Sequence, residues 1–213
     1  MKTKIKNKLV YFLNNSMYIN ITNLCTNNCV FCIKNLSNNV GGIDLRIKDE
    51  NISSEQIISE IKNNFPETRS EIVFCGYGEP LIKLEIIKNT AKFIKKNYPN
   101  IPVRVNTNGQ ANLIHKKNIA PELAGLIDKI SVSLNADNAN LYEELTRCKF
   151  DKEQAFEAVK NFIAECQKQG IETTATIVVG FENYKINIEK CKEITENLGV
   201  KFKIREWLRT GYE

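Results

Sequence analysis

Residues 17–32 read Met17-Tyr18-Ile19-Asn20-Ile21-Thr22-Asn23-Leu24-Cys25-Thr26-Asn27-Asn28-Cys29-Val30-Phe31-Cys32. The first six are a short run rich in β-branched and aromatic side chains, the composition that suits a pleated, half-buried strand. Directly after it, three cysteines stand with three and then two residues between them. A loop at the carboxyl end of a strand that carries three thiols is the organising feature of this chain.

Working outward, short β-rich runs alternate with longer stretches of helical period, the signature of repeated β-α units and a parallel sheet. The predicted strands are 17–22, 71–75, 103–106, 129–134, 172–179 and 201–205, and the predicted helices 53–64, 81–97, 113–124, 138–146, 152–169 and 184–197. Ser53 is placed to cap the first helix, with Glu55 and Gln56 in its opening turn. Gly170 and Leu198-Gly199 sit where helices end in left-handed turns. Right-handed crossovers make consecutive parallel strands curl the same way, so the units give an α/β fold, a partial (β/α)6 TIM-like barrel over a single domain, 1–213, with no accessory domain. A doubly wound open sheet is the rival, and both arrangements put functional loops at the carboxyl ends of the strands. Residues 34–51 fit neither period. Gly41-Gly42 in their middle suggests a mobile loop that either covers the site or is a surface excursion.

The composition is globular: 42% hydrophobic and 26% charged residues leave no case for a disordered or collagenous chain. No apolar run approaches the roughly 18 residues of a membrane span, and Met1-Lys2-Thr3-Lys4-Ile5-Lys6 lacks the small-residue cleavage site of a signal peptide, so a cytoplasmic protein is expected. The net charge of +5 is spread over lysines on many segments and gives no clear nucleic-acid signal. Seven cysteines, an odd number, read as reduced thiols or metal ligands. Cys75, Cys148, Cys166 and Cys191 are scattered singly, so only the first three have ligand spacing.

Three thiolates from one loop can cap three corners of an iron-sulfur cubane. Without a fourth cysteine at matching distance, one iron lacks a protein ligand and is open to chelation by a small molecule. A closed zinc site wants four Cys or His ligands, usually in paired units, and the only histidine is His115. A pure electron-transfer cluster usually has four thiolates.

The pattern Cys25-x-x-x-Cys29-x-Phe31-Cys32 resembles the signature loop of the radical S-adenosylmethionine (SAM) superfamily. The resemblance implies a 4Fe-4S cluster held by Cys25, Cys29 and Cys32, SAM on its open iron, and Phe31 beside the SAM adenine. One strand later, Phe74-Cys75-Gly76-Tyr77-Gly78-Glu79-Pro80-Leu81 resembles the family's Gly-Gly-Glu-Pro segment, with Tyr77 departing from the double glycine. Glycine there brings backbone carbonyls close to a ligand, and the SAM amine is such a ligand, which makes Gly76, Tyr77, Gly78 and Glu79 candidate contacts. Asn106-Thr107-Asn108-Gly109 closes the third strand and offers Asn108. Strand alternation sends Ser131, Ser133 and Asn135 to one face, and the family's use of serine or asparagine at this strand end carries Ser133 and Asn135 over as SAM ligands. Val178 and Val179 end the fifth strand, although the family's Gly-x-Ile-x-Gly-x-x-Glu pattern is not clean there.

Arg147 and Arg205 could each grip a carboxylate in a forked contact, or form surface salt bridges. Cys75 is either a hydrogen-atom donor or substrate contact, or a buried inert thiol. Over nearly the whole chain, from residues 18–23 through 145–147 to 205–206, the sequence most resembles small TatD-family-associated radical SAM proteins, which implies a pathway link to a TatD-like hydrolase. The family reading implies reductive SAM cleavage to a 5′-deoxyadenosyl radical, a reductant protein such as flavodoxin or ferredoxin, and an unknown substrate. Its alternatives are a glycyl-radical activase acting on a partner protein and a non-enzymatic iron-sulfur electron carrier.

Overall fold

The computed structural model describes residues 7–35, 39–40, 42–64 and 69–207. Met1 to Lys6, Leu36 to Asn38 and Gly41 lie outside them. In chain order the strands are β1 (Val10–Leu13), β2 (Ser16–Ile19), β3 (Asn39–Val40), β4 (Ile43–Asp44), β5 (Glu71–Phe74), β6 (Val103–Thr107), β7 (Lys129–Ser133), β8 (Glu172–Val179) and β9 (Lys201–Glu206). The α-helices are α1 (Ser54–Asn64), α2 (Leu84–Asn97), α3 (Ala111–His115), α4 (Ala120–Leu123), α5 (Ala139–Thr146), α6 (Lys152–Lys168) and α7 (Ile188–Asn197).

The main sheet runs β1-β2-β5-β6-β7-β8-β9. Every pairing from β2 to β9 is parallel, so the six predicted β-α strands form the partial (β/α)6 barrel that the sequence pattern implies. Strand alternation gives this sheet two chemistries. Ile72, Phe74, Val103, Val105, Ile130, Val132, Ala175 and Ile177 are completely or almost completely buried in one core with Ile87, Ala91 and Ile94 of α2 and Val159, Phe162 and Ile163 of α6. Each such aliphatic or aromatic side chain contributes about 1.5–3 kcal/mol on burial. The alternate residues, Arg104, Asn106, Ser131, Ser133, Thr176, Val178, Lys203 and Arg205, face a cavity on the other side.

Four local features differ from expectation. Strand β1 pairs antiparallel with β2 through Asn14-Asn15, where Asn14 takes a left-handed φ of 50°. An apolar run ended by two asparagines is a hairpin signal that the parallel pattern masked. The predicted helix 113–124 is two short helices, because Lys116 turns left-handed at φ 53° and Pro121 opens a new first turn. The predicted helix 81–97 begins as a 3-10 turn at Pro80–Lys83 before α2. Helix α7 starts four residues later than expected, where the Asn187 side chain accepts from Lys190 N.

Candidate functional site

The cysteine loop leaves β2 and is held by main-chain bonds to the end of α5. Asn28 N donates to Thr146 O at 2.8 Å, Val30 N to Leu145 O at 2.9 Å, and Lys149 N to Thr26 O at 2.9 Å. Below it lies a buried polar layer, in which Gln110 Nε2 donates to Asn27 Oδ1 (2.9 Å) and to the Tyr142 hydroxyl (2.8 Å). Asn108 Nδ2 donates to Thr26 Oγ1 at 2.8 Å and reaches Cys25 Sγ at 3.8 Å, while Asn27 N donates to the same sulfur at 3.4 Å.

Burial raises the pKa of all three thiols. Cys29 is pushed up to about 12 by desolvation first and by Cys32 and Cys25 next. Cys25 rises through burial and the charge of Glu79, and Cys32 through burial. A metal group binding here must displace the protons of these thiols. Among the described residues no three His, Cys, Asp or Glu side chains converge on one point as a single ion requires. A cubane instead takes its thiolates on separate irons. Three thiols on one short loop, two of them lining a cavity of about 420 Å³, fit that group and its small-molecule cosubstrate.

The Gly76 to Pro80 segment enters the site in a different way from the one its glycines suggest. Neither Gly76 nor Gly78 has a positive φ. A Cβ on Gly76 would lie 1.9 Å from Asn20 Oδ1, and one on Gly78 only 2.5 Å from both Leu24 O and Thr22 O. Glycine is therefore needed for close packing of this segment on the cysteine loop, and Glu79 N donates to Leu24 O at 2.7 Å across the contact. The buried Glu79 carboxylate is a brace. It accepts from Leu81 N at 3.0 Å, Thr107 Oγ1 at 2.8 Å and Asn108 N at 2.6 Å, joining the ends of β5 and β6. Burial still outweighs these donors and lifts its pKa to about 7.

Of the other sequence candidates, Phe31, Gly76, Tyr77, Gly78, Glu79, Asn108, Ser133 and Val178 all line the cavity with Cys25 and Cys32. Phe31 stands edge-on to Phe181 at 6.2 Å, and Phe181 to Trp207 at 4.9 Å. Asn135 is misassigned by simple alternation. Strand β7 ends at Ser133, and Asn135 turns left-handed at φ 60°, so it does not continue the Ser131–Ser133 face and is not among the residues around the cavity. Its Oδ1 is buried without a partner among the described residues. Val179 also lies off the cavity, its carbonyl accepting from Trp207 N at 2.8 Å. Arg147 caps α5 at φ 45° and is likewise not part of the lining. Arg205 and Cys75 both line it.

Sequence reasoning missed Tyr11, Tyr18, Arg104, Lys203 and Trp207, all around the cavity. Tyr18 and Arg104 were readable in principle, since each alternates with core residues along its strand. The segment after the cysteines does cover the site: β3 and β4 form a small hairpin, and Val40 and Leu45 line the cavity. The described part is latched, with Glu50 accepting from Thr22 Oγ1 (2.8 Å) and Asn23 N (2.7 Å), and Asn23 Nδ2 donating to Ile47 O (2.6 Å).

Comparison with known proteins gives the family. The profile of the radical SAM superfamily matches residues 19–193, a span that contains the cysteine loop and the Gly76 to Pro80 segment. The chain is 28% identical over 202 residues to the dual-specificity RNA methyltransferase RlmN of Campylobacter lari, covering 89% of this chain and 52% of that protein. It is 24% identical over 134 residues to the GTP 3′,8-cyclase of Paenarthrobacter nicotinovorans, covering 63% and 35%. The fold is similar to the crystal structure of Streptococcus suis SuiB bound to S-adenosylmethionine, with a TM-score of 0.65 at 19% identity over 92% of this chain and 41% of that one. The chain thus spans about half or less of the length of these proteins.

Proposed function

Because the chain belongs to the radical SAM superfamily, we propose that it binds a 4Fe-4S cluster through Cys25, Cys29 and Cys32 and cleaves SAM reductively to a 5′-deoxyadenosyl radical, which abstracts hydrogen from a substrate still to be identified. The observation that supports this reading most is the packing of Gly78 against the backbone of the cysteine loop, which joins the two segments into one wall of a cavity. When bound, the cluster supplies the electron that breaks the sulfonium bond. The chain itself supplies position: Asn108 and Asn27 fix the Cys25 sulfur, Glu79 locks the strand ends, and the β3–β4 hairpin shields the cavity from water. Gly76, Tyr77, Phe31, Ser133 and Val178 are the proposed SAM contacts.

The same reading assigns the cluster loop to residues 23–34 of a radical SAM core domain and needs an external electron donor, proposed as a flavodoxin or ferredoxin. No described helix is long and apolar enough to cross a membrane, and we place the reaction in the cytoplasm. The resemblance of nearly the whole chain, from residues 18–23 through 145–147 to 205–206, to the TatD-associated radical SAM proteins is the ground for proposing a shared pathway with a TatD-like hydrolase, without a shared reaction.

Anaerobic reconstitution with iron and sulfide, then dithionite and SAM, tests the proposal. Visible absorbance of the cluster, a change in its EPR signal on adding SAM, and 5′-deoxyadenosine release are expected. No 5′-deoxyadenosine above the level of a variant lacking all three cysteines would sink it. A cluster whose signal ignores SAM would point to the electron-carrier alternative, and hydrogen abstraction only from a partner protein's glycine to an activase.

A further inference from the structure

The cavity has two unlike sides. One holds the cysteine loop and the Gly76 to Pro80 segment. On the other, the parallel register sets Thr176 beside Lys203 and Val178 beside Arg205, and all four side chains face inward. Two strands away from β9, Ser131 and Ser133 face the same space. Among the described residues neither serine hydroxyl nor the Lys203 ammonium has a hydrogen-bond or ion-pair partner. A flexible cation and two hydroxyl donors directed into one cavity are groups whose hydrogen-bonding capacity a ligand can take up.

The sign of the charge on this side is set by what stands near it. The lining carries three cations, Arg104, Lys203 and Arg205, and two carboxylates. Glu79 is enclosed by its three donors, and Glu206 is exposed. Arg104 is bound bidentately by Glu71, at 2.7 and 3.1 Å. Arg205 is half-buried, and burial lowers its pKa against the opposing influence of Cys75 and Tyr18. Lys203 lies one inward position below it on β9.

Resting on the SAM reading above, we infer that the substrate carries an anionic group, carboxylate or phosphate, received by Lys203 and Arg205 of β9, above the level of Ser131 in the strand register. This places the anion across the cavity from the cysteine loop, so the rest of the substrate extends toward the SAM contacts proposed at Phe31, Gly76 and Tyr77. Lys203 recognises the charge, and the planar Arg205 fork orients it. Ser133, two residues nearer the mouth, stays with SAM.

Trp207 is the single tryptophan of the chain and lines the cavity, which gives an internal reporter. The full chain, anaerobically reconstituted and saturated with SAM, is titrated with inorganic phosphate and, separately, with succinate while tryptophan fluorescence is followed. A saturable response to one of the two is expected, and the arm that responds names the anion class. Lys203→Gln should weaken it by about tenfold, whereas Lys203→Arg should keep it within about threefold, as the loss of one charge-assisted contact predicts. No saturable response in either arm, or equal affinity in Lys203→Gln, overturns the inference. So does a response that disappears when SAM is added, which would assign these cations to the SAM carboxylate. The two readings fail separately: absent 5′-deoxyadenosine from the wild type defeats SAM cleavage, whereas absent anion binding in a protein that cleaves SAM defeats only this site.

Discussion

At the carboxyl ends of β2, β5 and β6 most polar groups are buried and bonded to one another, with Asn20 Oδ1 and Gln110 Oε1 the exceptions among the described residues. Glu79, 2% exposed, takes three donors, and Gln110 and Asn108 tie the cysteine loop to the strand ends. On β8 and β9 the charges stand in water or face the cavity. The Lys201–Glu172 pair is 2.6 Å long with side chains 67% and 46% exposed, and Lys203 is exposed as well. The first region is a fixed frame whose parts cannot be exchanged singly. The second leaves the Lys203 ammonium for something outside the protein, which is how one scaffold can hold a common cofactor and a particular substrate.

The contrast is sharpest in its largest expected effect. Replacing any one of Cys25, Cys29 or Cys32 by alanine should remove cluster absorbance and drop 5′-deoxyadenosine formation to background, measured after anaerobic reconstitution. Glu79→Ala should cost about 2–4 kcal/mol in urea unfolding, because Leu81 N, Asn108 N and Thr107 Oγ1 lose their acceptor in a buried site. A rigid frame would be refuted by a loss below about 0.5 kcal/mol.

A pH series probes the same residue. Burial lifts the Glu79 carboxyl from its ordinary 4.5 to about 7, so the folded state holds this proton more tightly than the unfolded one. Its contribution to stability is complete below about pH 4.5 and lost as pH rises through 7, a fall of about 3 kcal/mol at most. In Glu79→Gln that slope should vanish from denaturation curves taken across the window.

Asn108→Leu tests the frame at its finest grain. Without the amide near the Cys25 sulfur, the cluster midpoint potential should move negative, on the order of tens of millivolts in an EPR-monitored titration. The smallest effect belongs to the other region. Lys201→Ala should change unfolding free energy by less than about 0.5 kcal/mol, since its ion pair is exposed and screened.

Much of the frame was legible in the sequence because period-2 and period-3.6 patterns report burial, and burial is what the six parallel strands and the long helices α2 and α6 are made of. The lapses share a cause. Asn14, Lys116 and Asn135 are left-handed residues other than glycine, and each ends a pattern that composition alone would continue. At the site, the cysteine spacing and the Gly76 to Pro80 segment were legible as motifs. Their reasons were not: that Gly78 makes room for a neighbouring backbone, and that Glu79 takes donors from Thr107 and Asn108, are facts about partners far away in sequence. Arg104 and Lys203 were overlooked because a lone cation in a strand reads as a solvated face until the sheet's curvature is known.

Strand β9 has one further property. Among the described residues nothing pairs beyond it, so one row of its peptide groups lies at a sheet margin, where a second chain could add itself. Lys-Phe-Lys-Ile-Arg-Glu is poorly suited to that. A copy adding there in parallel and in register would bring Lys201, Lys203 and Arg205 against their own like charges, and the short strand offers little apolar return. The margin is thus protected from parallel self-assembly in part by Lys203 and Arg205, which face the cavity, and neutralising them should be felt first as a loss of solubility.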